Sequence, residues 1–181
     1  MKADIEYTLA PWGRSVWVIT LLTSCLVLME CGLFLTLGIG CSATNKINAV
    51  IYLIIAGLGP LILFFIVLFS PRGYRITDSA VVVSRLGPNI VIPLNEIESI
   101  QEADASLFKG ALRVMGCGGA FGYFGRFTAP AIGPYKAYVV RTDHIVLVHQ
   151  KHKNIVAVSP ADISGFIEQV RTRITTLREQ Q

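Results

Sequence analysis

Two apolar runs stand close together near the start of the chain, and a soluble domain of this size has no place to bury both. Val16 to Leu37 is interrupted only by Glu30, and Ile47 to Phe69 carries no charge. Each exceeds about 20 residues, which at about 1.5 Å per residue crosses a hydrocarbon core of about 30 Å. The runs therefore predict a transmembrane hairpin over residues 1–71, with helices at about 16–37 and 47–69. Trp12 and Trp17 flank the first run, at the level where amphipathic rings favour headgroups. A cleaved signal peptide fits less well, because its apolar region usually spans only about 7–15 residues. Leu22-Thr23-Ser24-Cys25 resembles a lipoprotein cleavage box, but few apolar residues precede it and the run continues beyond Cys25.

Basic residues set the expected orientation. The connection between the runs carries Lys46, whereas the other side carries Lys2, Arg14, Arg72, Arg75 and Arg85. Both termini are expected in the cytosol and the short loop outside. Glu30 is the odd residue, because a carboxylate inside a membrane is costly unless paired, neutralised or snorkelled. Two readings stay open: contact with a partner helix or polar path, or simple neutralisation. Gly57, Gly59 and Pro60 predict a kink or a close-packing point in the second helix.

Composition divides at the same place. Apolar residues make up 52% of the chain and charged residues 15%. The apolar excess sits before Pro71, where Lys2, Arg14 and Lys46 balance Asp4, Glu6 and Glu30. The formal net charge of +4 therefore belongs to residues 72–181. That excess suits solubility or a nearby anionic surface, and no basic run is dense enough for nucleic acid. Cys25, Cys31, Cys41 and Cys117 form no CxxC pair, which fits a reducing compartment.

From Tyr74 the period becomes that of strands. Residues 74–77, 80–86, 90–92, 135–141, 145–149 and 155–158 read as strands, with turn residues between them. Leu94, Ile97 and Ile100 are ambiguous between strand and helical turn. The spacing predicts an antiparallel barrel or sandwich. A helix over about 160–177 follows, with Ser159 as a possible cap, and Ile163, Phe166, Ile167, Val170, Ile174 and Leu177 giving one apolar face. It should cover an open end of the sheet structure.

The glycine-rich middle interleaves Gly116, Gly118, Gly119, Gly122 and Gly125 with Phe121, Tyr123, Phe124 and Phe127. It lacks the residues of a phosphate loop. Either the glycines permit bulges and close strand approach above packed aromatics, or Tyr123, Phe124 and Arg126 form a tip for lipid headgroups or a protein partner.

These residues carry a resemblance. Tyr74-Arg75-Ile76-Thr77, Ile92-Pro93-Leu94 with Ile97, the run Gly118 to Phe127, and Val158-Ser159-Pro160-Ala161-Asp162 with Phe166-Ile167 resemble the bacterial pleckstrin-homology-like domains in their membrane-attached form. The resemblance covers about residues 72–173. It implies a bent seven-stranded barrel capped by the C-terminal helix, a docking role without catalytic residues, and a bacterial cytoplasmic membrane location. Phosphoinositide-binding relatives use a basic loop between the first two strands. Thr77-Asp78-Ser79 is short and acidic, which argues against phosphoinositide.

Catalytic chemistry is not legible. His144, His149 and His152 are the only histidines, and His149 and His152 lack further ligands nearby for a metal. Glu96, Glu98, Glu102 and Asp104 read as a solvated acidic face. No nucleophile elbow or zinc-helix motif occurs. The expectation is a mixed fold, an α-hairpin plus a mainly β domain, without enzyme activity, cofactor or metal. Its partners would be the bilayer and either a second copy or another protein. The alternative is a subunit of a transporter or membrane enzyme complex acting through Glu30.

Overall fold

The computed structural model describes residues 5–8, 11–41, 45–151 and 154–179. Helices α1 (Arg14–Cys41) and α2 (Lys46–Phe69) pack side by side. Both extend past the expected bounds into the connection. Asn45 caps α2, its side-chain oxygen accepting from the N–H groups of Ile47 (3.1 Å) and Asn48 (3.2 Å). The helices approach closely at Gly38, where an added Cβ would lie 3.1 Å from Leu53 Cγ and 3.4 Å from the Ala49 carbonyl. Of the glycines expected to mark close packing in α2, Gly57 meets nothing, whereas Gly59 packs against α1, where an added Cβ would lie 3.4 Å from Val27 Cγ1 and against the Glu30 carboxylate. The helix α2 runs through Pro60 without a break. Leu28 (72% exposed) and Ile47 (73% exposed) typify the outer surface of the pair, which is apolar and uncovered. Both helices are long and apolar enough to cross a membrane and fit a transmembrane hairpin.

Behind them come strands β2 (Pro71–Ile76), β3 (Ala80–Arg85), β4 (Ile90–Pro93), β5 (Ile97–Ala103), β6 (Leu112–Gly119), β7 (Gly122–Ala129), β8 (Gly133–Val139), β9 (Ile145–Gln150) and β10 (Asn154–Val158), then helix α3 (Ile163–Glu179). A strand absent from the sequence reading, β1 (Ile5–Thr8), precedes α1. It pairs antiparallel with β2, Tyr7 opposite Tyr74. The strands form a four-stranded sheet, β1-β2-β3-β4, and a six-stranded sheet, β5-β9-β10-β8-β7-β6.

Two expectations need correction. Among the described residues nine strands follow the hairpin, not seven, and a 3-10 turn at Leu94–Glu96 separates β4 from β5, which lies in the other sheet. That turn also settles the ambiguity of Leu94 and Ile97: helical turn first, strand after. Nor is the pairing wholly antiparallel. Residues 140–144 carry the chain past one strand position, so β10 returns between β8 and β9 and runs parallel to β8.

The main core lies between the sheets: Tyr74, Ile76, Val81, Val83, Ile92, Phe124, Tyr138, Val146, Val148, Val156 and Val158. Phe166 and Val170 of α3, both fully buried, close one end of it. Each contributes about 1.5–3 kcal/mol by leaving water. The cap of α3 is Asp162, whose Oδ1 accepts from the Gly165 N–H at 2.9 Å. Ser159 is buried and used otherwise, its Oγ accepting from the Val140 N–H at 2.9 Å. The helix therefore starts three residues after the expected Pro160. Buried Arg173 of α3 pairs with Asp78 in the β2–β3 turn, tying helix to sheet.

The buried Tyr74 hydroxyl stitches the sheets together. It donates to the Tyr138 carbonyl at 2.6 Å and accepts from the Ser159 N–H at 2.9 Å. Burial pushes its pKa up to about 12, against an opposing effect of the Ser159 hydrogen bonds. An unfolded tyrosine titrates near about 10, so folding favours the neutral phenol. That stabilisation is fully present below pH ~10 and is lost as pH rises through ~12. Tyr74→Phe should cost about 1–3 kcal/mol at neutral pH by orphaning both backbone groups. The variant should also lose less stability than the parent as pH rises from about 10 to 12. Thermal unfolding of the full chain in detergent micelles, followed across pH, measures both effects.

Candidate interaction site

The glycine-rich segment folds as the β6–β7 hairpin, and its tip is docked against the base of the helix pair. Phe121 sits in the turn at φ 56°, a region uncommon for a residue with a side chain. Partners from both helices hold it there. Its N–H donates to Thr20 Oγ1 of α1 at 2.9 Å, and its carbonyl accepts from Ser70 Oγ, just past α2, at 2.6 Å. Trp12 stands edge-on to the Phe121 ring at 5.8 Å and packs against Trp17 at 5.2 Å. Gly119, at φ 116°, lies so close to α1 that a Cβ would stand 2.6 Å from Ile19 Cδ1. Around this collar the Gly13 N–H donates to the Val140 carbonyl at 3.3 Å, and the Gly87 N–H to the Leu68 carbonyl at 2.8 Å. Arg85 lays its guanidinium over Phe69 at 5.5 Å and over Tyr138 at 5.9 Å.

The residues singled out from sequence part company here. Phe124 is buried between the sheets, whereas Tyr123 faces the opposite side of β7 and is half-buried there. Arg126 is exposed on the Phe124 side, one strand pair further along. Opposite it in register stand Met115 of β6 and Lys136 of β8. Glu30 points at α2, its carboxylate lying where a Cβ of Gly59 would be. The structure therefore places Phe124 and Arg126 on one face of β7, Tyr123 on the other, and Glu30 within the helix pair.

What surrounds Arg126 was not read from sequence. Strand β6 is the edge of the six-stranded sheet. It exposes Leu112 (68%), Val114 (67%) and Met115 (62%), outside the hairpin and without a covering element. A bulge between Arg113 and Met115 twists the edge there. The only sequence signal was three apolar residues around one arginine, which the strand period leaves unassigned because the bulge breaks it. Arg85 and Arg126 both lie near Tyr138, whose phenol burial pushes up while the two cations pull it down. The result is an open strip of sheet that is basic on one side and apolar on the other.

Other ionisable groups are engaged in local structure. Burial pushes the Cys117 thiol up, with backbone hydrogen bonding at Ala120 and the Arg113 cation opposing, which leaves it a poor nucleophile at neutral pH. Arg141 pairs with Asp143 and holds its carboxyl down to about 2. The Ser106 N–H lowers Asp104. Gln101 Nε2 lies 3.5 Å from His149 Nε2, and His152 falls outside the described residues. Among the described residues no group of three His, Cys, Asp or Glu side chains is placed to hold a metal ion.

Residues 72–174 match the family model of the bacterial PH domain. No curated protein and no solved structure matches the chain.

The collar yields a direct test. Thr20→Val keeps the shape of the side chain but removes the acceptor of the strained Phe121 N–H, and should cost about 1–3 kcal/mol. Hydrogen exchange at residues 119–122 should accelerate in that variant while exchange in β9 and β10 stays unchanged.

Proposed function

Because this chain belongs to the bacterial PH domain family, we propose that it is a membrane-anchored, non-enzymatic docking domain held against the cytosolic face of the bilayer. The observation that carries the reading is the collar, where the β domain locks onto the base of an uncovered apolar hairpin. Both helix ends at that base, Arg14 and Phe69, adjoin the β domain, so a hairpin in lipid leaves β1 and β2 on one side. The basic residues Arg14, Arg72, Arg75 and Arg85 on that side support a cytosolic placement, against Lys46 alone at the far connection.

The docking surface in this reading is the β6 edge with Arg126 and Lys136. It fits an extended protein segment with apolar and acidic residues, added as a further strand. A second copy fits less well, since pairing two β6 edges brings Arg113 and Arg126 of each toward their own kind. The three-residue turn Thr77-Asp78-Ser79 offers no cation, and Asp78 is already paired with Arg173, which supports a protein partner over phosphoinositide. The second reading, a subunit acting through its hairpin, rests on Glu30. Its contact with Gly59 of the same hairpin supports a packing role instead.

Three measurements test this. In cells, a membrane-impermeant maleimide should label Asn45→Cys but not Gln101→Cys in a cysteine-free background, and the reverse pattern would overturn the topology. In the membrane, Val114→Cys should not form copy-to-copy disulfides. Such disulfides in high yield would replace the acidic partner with self-association. Glu30→Gln should leave membrane insertion and folding intact, and loss of assembly with a transport complex would favour the second reading.

A further inference from the structure

The six-stranded sheet has a second apolar face, turned away from the four-stranded sheet. Phe127, Tyr135, Val139, Ile145 and Leu147 belong to it, but its centre is built from small residues. In register across the strands, Ala157 of β10 lies beside Ala137 of β8, and Ala137 beside Gly125 of β7. That row forms the floor of a trench. One wall is Tyr123 and Val139, and the other is Phe127 and Tyr135. The walls stand four residues apart along β7 and β8, about 13 Å at about 3.4 Å per residue.

The trench is roofed. Residues Ala105–Phe108 form a 3-10 turn, and Phe108 meets the Tyr135 ring edge-on at 5.5 Å. Beneath it lies a cavity of about 200 Å³ lined by Phe108, Ala111, Tyr123, Tyr135, Ala137 and Ala157 among others. An apolar cavity of about 150 Å³ suffices to bind a benzene-sized guest. Burial pushes the Tyr135 phenol up, in keeping with dry surroundings.

Two further features select the guest. The Tyr123–Val139 wall lies beside the collar, since Val140 accepts the Gly13 N–H directly before α1. One wall of the cavity is thus one residue along the chain from the collar. Arg113 lies along Gly118, its Cδ 3.8 Å from where a Cβ would be, with Tyr123 and Phe127 at 3.7 and 3.9 Å from the same point. Two aromatic side chains that line the cavity and an exposed cation therefore stand side by side over Gly118.

We propose that this cavity is the binding site of a single-chain amphiphile, with its alkyl chain along the Ala157–Ala137 floor and its anionic head at Arg113, taken up from the adjoining bilayer. The site is distinct from the β6 docking strip, which uses the other face of the sheet, and it stands whether or not a protein binds there. The bilayer enters only as the source of the ligand.

The test uses the full chain in phosphatidylcholine nanodiscs containing dodecanoic acid with a terminal diazirine, followed by photolysis, digestion and mass spectrometry. Label is expected within residues 123–145, and excess unlabelled dodecanoate should suppress it. Label on α1 and α2 from bulk lipid should not be suppressed. Ala137→Leu puts a branched side chain on the floor and displaces about two methylenes of guest, so label in 123–145 should fall about tenfold. Arg113→Gln should weaken retention several-fold without moving the label. Absence of competable label in 123–145 would overturn the proposal, as would equal label in a folded Ala137→Leu. Should that variant fail to fold, competition in the parent chain decides. Unchanged retention in Arg113→Gln would overturn the assignment of the anionic head.

Discussion

The chain returns to its own beginning, and the rest of the architecture follows from that closure. Residues 5–8 pair with Gly73–Ile76 after the whole excursion through α1 and α2. Closing a flexible loop of about 65 residues would cost roughly 4 kcal/mol of chain entropy beyond a constant. Two antiparallel helices of similar length remove most of that cost by delivering Gly13 and Ser70 to the same end. Short hydrogen bonds then convert proximity into a defined joint: Ser70 to Phe121, Phe121 to Thr20, and Gly13 to Val140. Phe121 keeps its left-handed backbone because three elements specify it at once. The glycines on either side of it remove the side chains that would prevent this approach.

Much of this was legible in the residues. Two long apolar runs, broken by the single charge of Glu30, can hardly be anything but helices in an apolar setting, and the apolar face of α3 is written at three- and four-residue steps. The strands from Tyr74 to Pro93 and from Tyr135 to Val158 were legible as short runs rich in apolar and β-branched residues bounded by turn residues. What escaped was set by distant partners. Ile5-Glu6-Tyr7-Thr8 is a plausible strand only once Tyr74 is known to lie opposite. The parallel placement of β10 depends on the path of residues 140–144, which no local pattern encodes. Ser159 looks like a helix cap until Val140 claims its hydroxyl. Arg126 was visible as a basic residue among aromatics, but the exposed Leu112, Val114 and Met115 beside it became a surface only through the edge position of β6.

The six-stranded sheet explains why the middle of the sequence is hard to read. Both of its faces are apolar, so β7 lacks a clean alternation: Phe124 serves the core between the sheets while Tyr123 and Phe127 serve the other side. A sheet buried on two faces reads as a continuous apolar run. Here the second face is filled only in part, because alanine and glycine stand where valine or leucine would complete the packing. Close-packed interiors seldom leave such a gap without cost, since the lining atoms lose contacts on one side. The alanines at 137 and 157 are therefore better explained by a guest than by packing alone.

The shortness of the joint between hairpin and domain bears on how such a platform would work. Only Ser70 separates α2 from β2, and it is buried. A flexible linker would let the domain sample all orientations above the bilayer. With the hairpin in a bilayer, a single buried residue braced by the collar would fix which way the β6 edge faces and how far from the membrane it stands. Rigid presentation lowers the orientational cost of docking for a partner that is itself confined to the membrane, because both surfaces are already at matched height. On the proposed docking role, the same rigidity would exclude partners whose binding segment lies at another height. Selection by position would thus add to selection by the Arg126–Lys136 charges. A modest interface along one bulged edge strand would then suffice in the plane of the bilayer where it would be too weak in solution.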